Sequence, residues 1–327
     1  MTQPAIPLAP TDRLGLLKAV FGRFESASIF GALLVLCVLL ALAAPDFLNS
    51  YNLMTVLRQA SFVGIIAFGE TLVLLVGGID LSVGAAAGLS AIVGSTLLVN
   101  YGISPYLIIP LTCLFGLAVG LINGFLISFI GLNPFIVTLA SWQVLAGATL
   151  VITEGNPVGP LGPTFQMFGK SEVFGLSGSV IALVALAGIL SFVLMRTPFG
   201  RNLYAIGGNR SAATLVGIAV KRVEMLVFGL SGCLAALAGI LYASRMNSAD
   251  PSVGVGWLMP AITASIIGGV SLRGGQGTIA GTVGGALLMA VLDNGIVLIN
   301  ISSYWQQVII GSVVLLAILV DLLRRNR

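Results

Sequence analysis

The sequence contains no histidine. That removes the commonest general base and the commonest metal ligand. Charge is also scarce: Asp, Glu, Lys and Arg make up only 8% of the 327 residues. A soluble domain carries about a quarter, so a soluble fold of this length is excluded. Cysteine occurs at three positions, Cys37, Cys113 and Cys233, each inside an apolar run. These have neither metal-ligand nor disulfide spacing and read as small buried hydrophobes. No paired catalytic motif or cofactor signature compensates for the missing histidine, so no catalytic residue, cofactor or metal is assigned and an enzyme is not expected.

What is present is apolar. Hydrophobic residues make up 57% of the chain and 42 residues are glycine; the mean hydropathy is +1.10. This composition predicts an all-α integral membrane protein in which glycine lets helices approach closely. Crossing ~30 Å of hydrocarbon takes ~17–25 apolar residues. Runs of that kind lie near 28–45, 60–78, 81–99, 106–130, 134–153, 176–195, 223–243, 257–272, 277–299 and 305–323.

About ten transmembrane helices put both termini on one side. If that side is cytoplasmic, only Arg58, Lys170 and Arg245 of the fifteen basic residues fall outside, a strong positive-inside bias. The net charge of +4 is attributed to this orientation and not to nucleic-acid binding. The expected organisation is a cytoplasmic tail at 1–27, a single transmembrane domain at 28–323 and a cytoplasmic tail at 324–327. The first run lacks a small-residue cleavage site and reads as a retained helix, not a signal peptide. The largest outside loop is expected from Glu154 to Gly175, rich in Gly and Pro.

Several polar positions interrupt the apolar pattern. In Gly77–Gly78–Ile79–Asp80–Leu81–Ser82–Val83–Gly84, the paired glycines break a helix and Asp80 is placed to cap the next one. A tight turn and a pathway-lining element both fit, because broken helices at membrane depth persist only inside protein or beside water. Glu70 lies in the second run and Asp293–Asn294 in the ninth. Carboxyls at that depth are costly, so each is either functional or a hydrogen-bonded interhelical group. Asn133 precedes Pro134–Phe135 at the start of the fifth run, as a cap or as a ligand for a polar solute. The candidate translocation path is Glu70, Asp80, Ser82, Asn123, Asn133, Phe135, Asp293 and Asn294. A self-contained alternative is a proton-coupled secondary transporter using Glu70 and Asp293.

Glycines at 116, 120 and 124, at 277, 281 and 285, and at 84 and 88 form helix-packing rows. The nucleotide motifs fail. Gly169–Lys170–Ser171 lacks the earlier glycine of a P-loop, since Thr164 stands there, and Gly275–Gln276–Gly277 follows no strand. Any energy must come from a partner. The basic segment 196–222 is where a partner is expected to grip. Asn209 is a helix cap and Gly217 a stop, predicting a short helix over 210–216. Gly200, Arg201, Asn209, Arg210, Ser211, Ala212, Ala213, Leu215 and Gly217 are the candidate coupling residues.

Certain blocks resemble a known family. Gly77 to Gly84, Asn123–Gly124, Asn133 to Leu139, Thr197 to Asn209, Ala235 to Arg245, Ile266 to Leu272 and Tyr304 to Gly311 are similar to the ribose-type permeases of bacterial ABC sugar importers, over roughly residues 45–325. The resemblance implies a type II ABC importer-like permease in the bacterial cytoplasmic (inner) membrane, multi-pass, paired with a second permease copy. It implies a cytoplasmic ATP-binding subunit docked under the 196–222 coupling loop. It also implies a periplasmic binding protein that delivers a monosaccharide, such as a ribose-like sugar or related polyol.

Overall fold

The computed structural model describes residues 29–325 apart from Phe174 and Ser303. The expected tail at 1–27 lies outside the described residues. Helices dominate: α1 (Ile29–Ala43), α2 (Ser50–Leu75), α3 (Val83–Val99), α4 (Pro105–Phe125), α5 (Pro134–Thr153), α6 (Pro163–Lys170), α7 (Gly178–Arg196), α8 (Pro198–Gly208), α9 (Arg210–Leu215), α10 (Val220–Met246), α11 (Leu258–Ile267), α12 (Ile279–Leu298) and α13 (Tyr304–Arg325). A small hairpin pairs β1 (Glu172–Val173) with β2 (Leu176–Ser177). Each expected apolar run contains a helix. Among the described residues, six helices are long and apolar enough to cross a membrane: α2, α4 with its π-turn extension to Ile130, α5, α7, α10 and α12. Shorter apolar helices occupy α1, α3, α11 and the first part of α13.

Helix α10 is the hub, packed on α4, α2 and α3. Glycine explains how closely. A Cβ on Gly116 would stand 2.3 Å from the Gly232 carbonyl, and one on Gly120 would stand 2.1 Å from that of Phe228. The expected row on α4 is thus the seam against α10, with backbone on backbone. Gly281 and Gly285 press α12 in the same way onto Gly268 and Ala264 at α11. Gly277 does not join that row. It lies before α12 in a loop, with φ +147, and packs on Val270.

Three boundaries differ from expectation. Helix α2 reaches back to Ser50 because Asn49 caps it, its side chain accepting the Tyr51 N–H at 3.0 Å. Arg58 therefore sits on a helix, where it pairs with Glu172. The 154–175 segment is not a bare loop: it holds α6 and is pinned to the end of α10. Val158 bridges Ala249, and the Asn247 side chain accepts the N–H groups of Leu161 and Gly162 at 3.0 and 3.1 Å. The 196–222 segment contains a second helix, α8, started by Thr197 and Pro198. Thr197 caps it by accepting the Gly200 N–H, as Ser/Thr caps do. The bundle thus has an Asn247 end, which also carries the start of α2, and an α8–α9 end.

Candidate functional site

The α8–α9 arm is built first. Asn209 accepts the Ala212 N–H at 2.9 Å, and α9 runs from Arg210 to Leu215 before Gly217 turns it at φ +85. The cap and stop are those expected from sequence. Ala213 is buried beneath α9, while Arg201, Asn209, Arg210, Ser211 and Ala212 face out. Leu215 and Val216 are 88% and 77% exposed. Gly200 is internal: a Cβ there would stand 2.2 Å from the Leu194 carbonyl, so it closes the α7–α8 corner.

Three contacts fix the arm to the bundle. Arg210 pairs with the buried Glu224 of α10 at 2.8 Å. The Tyr204 hydroxyl donates to the Gly277 carbonyl at 2.9 Å. Burial pushes that phenol above its ordinary pKa, so it stays a donor at neutral pH. Gly207 lies against both the Leu75 carbonyl and the Gly275 N–H. None of Tyr204, Gly207 or Glu224 stood out in the sequence. Glu224 was nonetheless one of few carboxylates, next to Lys221–Arg222.

The Gly77 break is a Schellman stop. Gly77 takes φ +78, its N–H bonds Leu74, and the Gly78 N–H bonds Val73. Asp80 is not the cap of α3. That position belongs to Ser82, which makes no capping bond with its side chain. Asp80 instead braces the turn, because its carboxylate also has a distant donor. Its Oδ1 accepts the Ser82 N–H and hydroxyl at 3.0 and 2.6 Å, and its Oδ2 accepts the Ser231 hydroxyl of α10 at 3.1 Å. Asn123 extends the network, donating to Ser82 at 3.0 Å and accepting from Ser141 of α5 at 2.6 Å. Glu70 joins through one oxygen, which accepts the Asp80 N–H at 3.3 Å; the other, also buried, has no partner among the described residues.

Thus Glu70, Asp80, Ser82 and Asn123 form one buried network binding α2, α4, α5 and α10. Asn133 and Phe135 lie elsewhere. They line a cavity of about 320 Å³ with Leu74, Gly77, Gly78, Ile79, Pro134 and Leu272. Asn133 also caps α5, accepting the Phe135 N–H at 2.9 Å.

Asp293 and Asn294 belong to the opposite end. Asn294 and Asn52 exchange amide hydrogen bonds at 3.0 and 2.8 Å, and Asp293 lies beside Gln306. Thr71, next to Glu70, bonds Thr282 at 2.8 Å. From Thr282 to Asp293 is about three helical turns, or about 16 Å. The carboxyls proposed as a relay therefore lie at separate levels of the bundle, which removes support for the proton-coupled alternative.

Comparison with known proteins places the whole chain in a family. Residues 52–318 match the family described as "Branched-chain amino acid transport system / permease component". The chain is 44% identical over 302 residues to the ribose import permease protein RbsC of Bacillus subtilis (strain 168), covering 92% of this chain and 94% of that one. It is 38% identical over 296 residues to the ribose import permease protein RbsC of Escherichia coli (strain K12), covering 89% and 91%. It is 36% identical over 324 residues to the L-arabinose ABC transporter permease protein AraH of Azospirillum brasilense, covering 99% and 94%. The chain belongs to this family of transport-system permease components, and it is a membrane transport subunit, not an enzyme.

Proposed function

We propose that this chain is the membrane permease subunit of an ATP-binding cassette importer for a monosaccharide. The observation that carries the reading is the near full-length similarity to the ribose permeases. The sugar is ribose-like, arabinose included. The proposed topology has ten spans with both ends in the cytoplasm of a bacterial inner membrane. The single transmembrane domain 28–323 is of the type II importer kind and works beside a second permease copy.

The partners in this reading are a cytoplasmic ATP-binding subunit and a periplasmic sugar-binding protein. Helix α9 is the docking element. Leu215 and Val216 supply its apolar contact, and Arg201 and Arg210 stand beside it. Gly200, Asn209, Ala213 and Gly217 shape the arm; Ser211 and Ala212 complete its outer face. Asn133 and Phe135 line the cytoplasmic mouth of the path. Glu70, Asp80, Ser82 and Asn123 hold the turn at that mouth, and Asp293 and Asn294 lie toward the other side. The test is reconstitution with a co-encoded ATP-binding subunit and binding protein. ATP-dependent uptake of labelled D-ribose or L-arabinose is expected. Uptake of neither sugar by a fully assembled complex would refute the substrate assignment.

A further inference from the structure

We infer that the Asn247 end carries a monosaccharide-binding vestibule formed by Phe62, Tyr242, Trp257 and Arg245. The inference rests on the transport reading above and adds a site outside the path residues named from sequence.

The three rings come from two helices and the turn that leads into a third. Phe62 lies on α2, Tyr242 on α10, and Trp257 immediately precedes α11. Phe62 and Trp257 are parallel within 5°, with centroids 6.1 Å apart. Tyr242 stands edge-on to both, at 5.3 and 5.1 Å. Phe62 is buried, but Tyr242 and Trp257 keep open surface. An aromatic cluster of this kind is ordinary core until its polar atoms are followed. Tyrosine hydroxyls and tryptophan N–H groups usually find a partner when buried. Among the described residues neither the Tyr242 hydroxyl nor the Trp257 indole N–H has one, and neither atom is sealed from the surface.

Arg245 adds the third unpartnered group. It lies one turn beyond Tyr242, half-buried, and close enough to Arg58, Tyr51 and Tyr242 to interact with each. Glu172 neutralises Arg58, but no carboxylate or hydrogen-bond acceptor serves Arg245 among the described residues. Leaving a half-buried guanidinium unpaired has a cost, which a ligand would offset.

These groups suit a sugar. A monosaccharide ring has an apolar C–H face and a rim of hydroxyls. The aromatic faces match the first. The guanidinium and indole donors and the amphoteric tyrosine hydroxyl match the second. With Arg58 neutralised, one net positive charge remains, which holds a neutral solute without trapping it. A transport path needs sites weak enough to leave.

Backbone packing sets the position of each ring. Gly254, at φ +86, would bring a Cβ within 2.1 Å of the Gly84 carbonyl, so the turn before Trp257 is seated on α3. The backbone N–H of Trp257 then donates to the Gly254 carbonyl at 3.0 Å. The Arg245 turn is seated under α6, where a Cβ on Gly169 would stand 2.5 Å from the Arg245 nitrogen.

The test uses fluorescence. The chain has three tryptophans, so the Trp142→Phe/Trp305→Phe protein reports on Trp257 alone. The full chain in lipid nanodiscs is titrated with D-ribose, L-ribose and L-arabinose, with glycine betaine at matched osmolarity as the control. The expected result is a saturable change that distinguishes D-ribose from L-ribose. Arg245→Met raises the half-saturation by at least about fivefold and Tyr242→Phe by about threefold, as loss of charged and neutral hydrogen bonds predicts. Should Arg245→Met fail to fold, Tyr242→Phe carries the comparison, since it deletes one hydroxyl. No saturable change with any sugar, or curves unmoved by the foldable variants, overturns the vestibule. The same proteins are checked for co-purification with the ATP-binding partner. A flat titration with the partner still bound refutes this site and leaves the transport reading standing.

Discussion

The backbone N–H of Gly275 donates to the carbonyl of Leu75 at 2.9 Å. This bond joins the turn after α2 to the loop before α12, across two hundred residues of sequence. Gly207 of α8 is wedged against both atoms. A Cβ on it would lie 1.9 Å from the Leu75 oxygen and 2.2 Å from the Gly275 nitrogen. The α8–α9 arm and the two glycine turns are therefore packed as one unit at this end. Leu74, Gly77 and Gly78 of that unit also line the cavity with Asn133 and Phe135. A push on α9 has a short mechanical route to the cavity wall.

Gly207→Ala tests that route. The added methyl forces the contact apart, and overpacking of this kind costs about 1–3 kcal/mol. The expected outcome is a permease that still binds its ATP-binding subunit but imports sugar at least about tenfold more slowly per ATP hydrolysed. Parallel assays of ATP hydrolysis and uptake in proteoliposomes measure the ratio, and an unchanged ratio rejects the route.

Arg210 and Glu224 test how the arm is held. Removing Arg210 leaves a buried carboxylate without its counter-ion. Because Arg210 is largely solvent-exposed, the loss is expected at the low end for such pairs, about 1–3 kcal/mol. Arg210→Ala should lower the thermal midpoint, and adding Glu224→Gln should recover most of it. A double variant no more stable than Arg210→Ala alone would show that the pair does not act as a unit.

The buried network predicts unequal effects for its two carboxyls. Asp80 accepts three hydrogen bonds, so Asp80→Ala should destabilise the protein by about 3 kcal/mol and abolish uptake. Among the described residues, Glu70 accepts one bond and leaves its second oxygen without a partner. Glu70→Gln should therefore retain part of the ATP-driven uptake. Complete loss in a correctly assembled Glu70→Gln transporter contradicts the structural role given to Glu70.

Gly120 tests the central seam. A side chain there meets the Phe228 carbonyl at 2.1 Å and the Gly229 Cα at 2.9 Å, both backbone atoms of α10. Gly120→Val should abolish the folded fraction seen by size-exclusion chromatography, while Gly147→Val on α5, in open space, should not.

Much of this architecture was legible because membrane spans are written in length and apolarity. The glycine row at 116–124 was legible for a related reason: close helix approach demands a missing side chain at fixed spacing, whereas Gly84 and Gly88 admit the 253–254 turn and not a helix. Helix α9 was readable from Asn209 and Gly217, which are local signals. What stayed hidden depends on partners far along the chain. The role of Asp80 required Ser231, and the burial of Glu224 required Arg210 to fold back on α10. Helix α8 was obscured by its glycines and polar residues, although Thr197–Pro198 announced its start. The Glu70–Asp293 relay failed because two carboxyls in adjacent apolar helices look alike in sequence, whatever their depth.

The central claim is that this permease has no motor of its own and is driven through α9. The most direct measurement is mild-detergent co-purification of the tagged chain from its native membrane, wild type beside Leu215→Asp/Val216→Asp, with partners identified by mass spectrometry. The account predicts that an ATP-binding cassette subunit accompanies the wild type and is lost from the variant, whose membrane domain remains folded. Recovery of the chain alone, together with sugar uptake into liposomes lacking ATP, would contradict it.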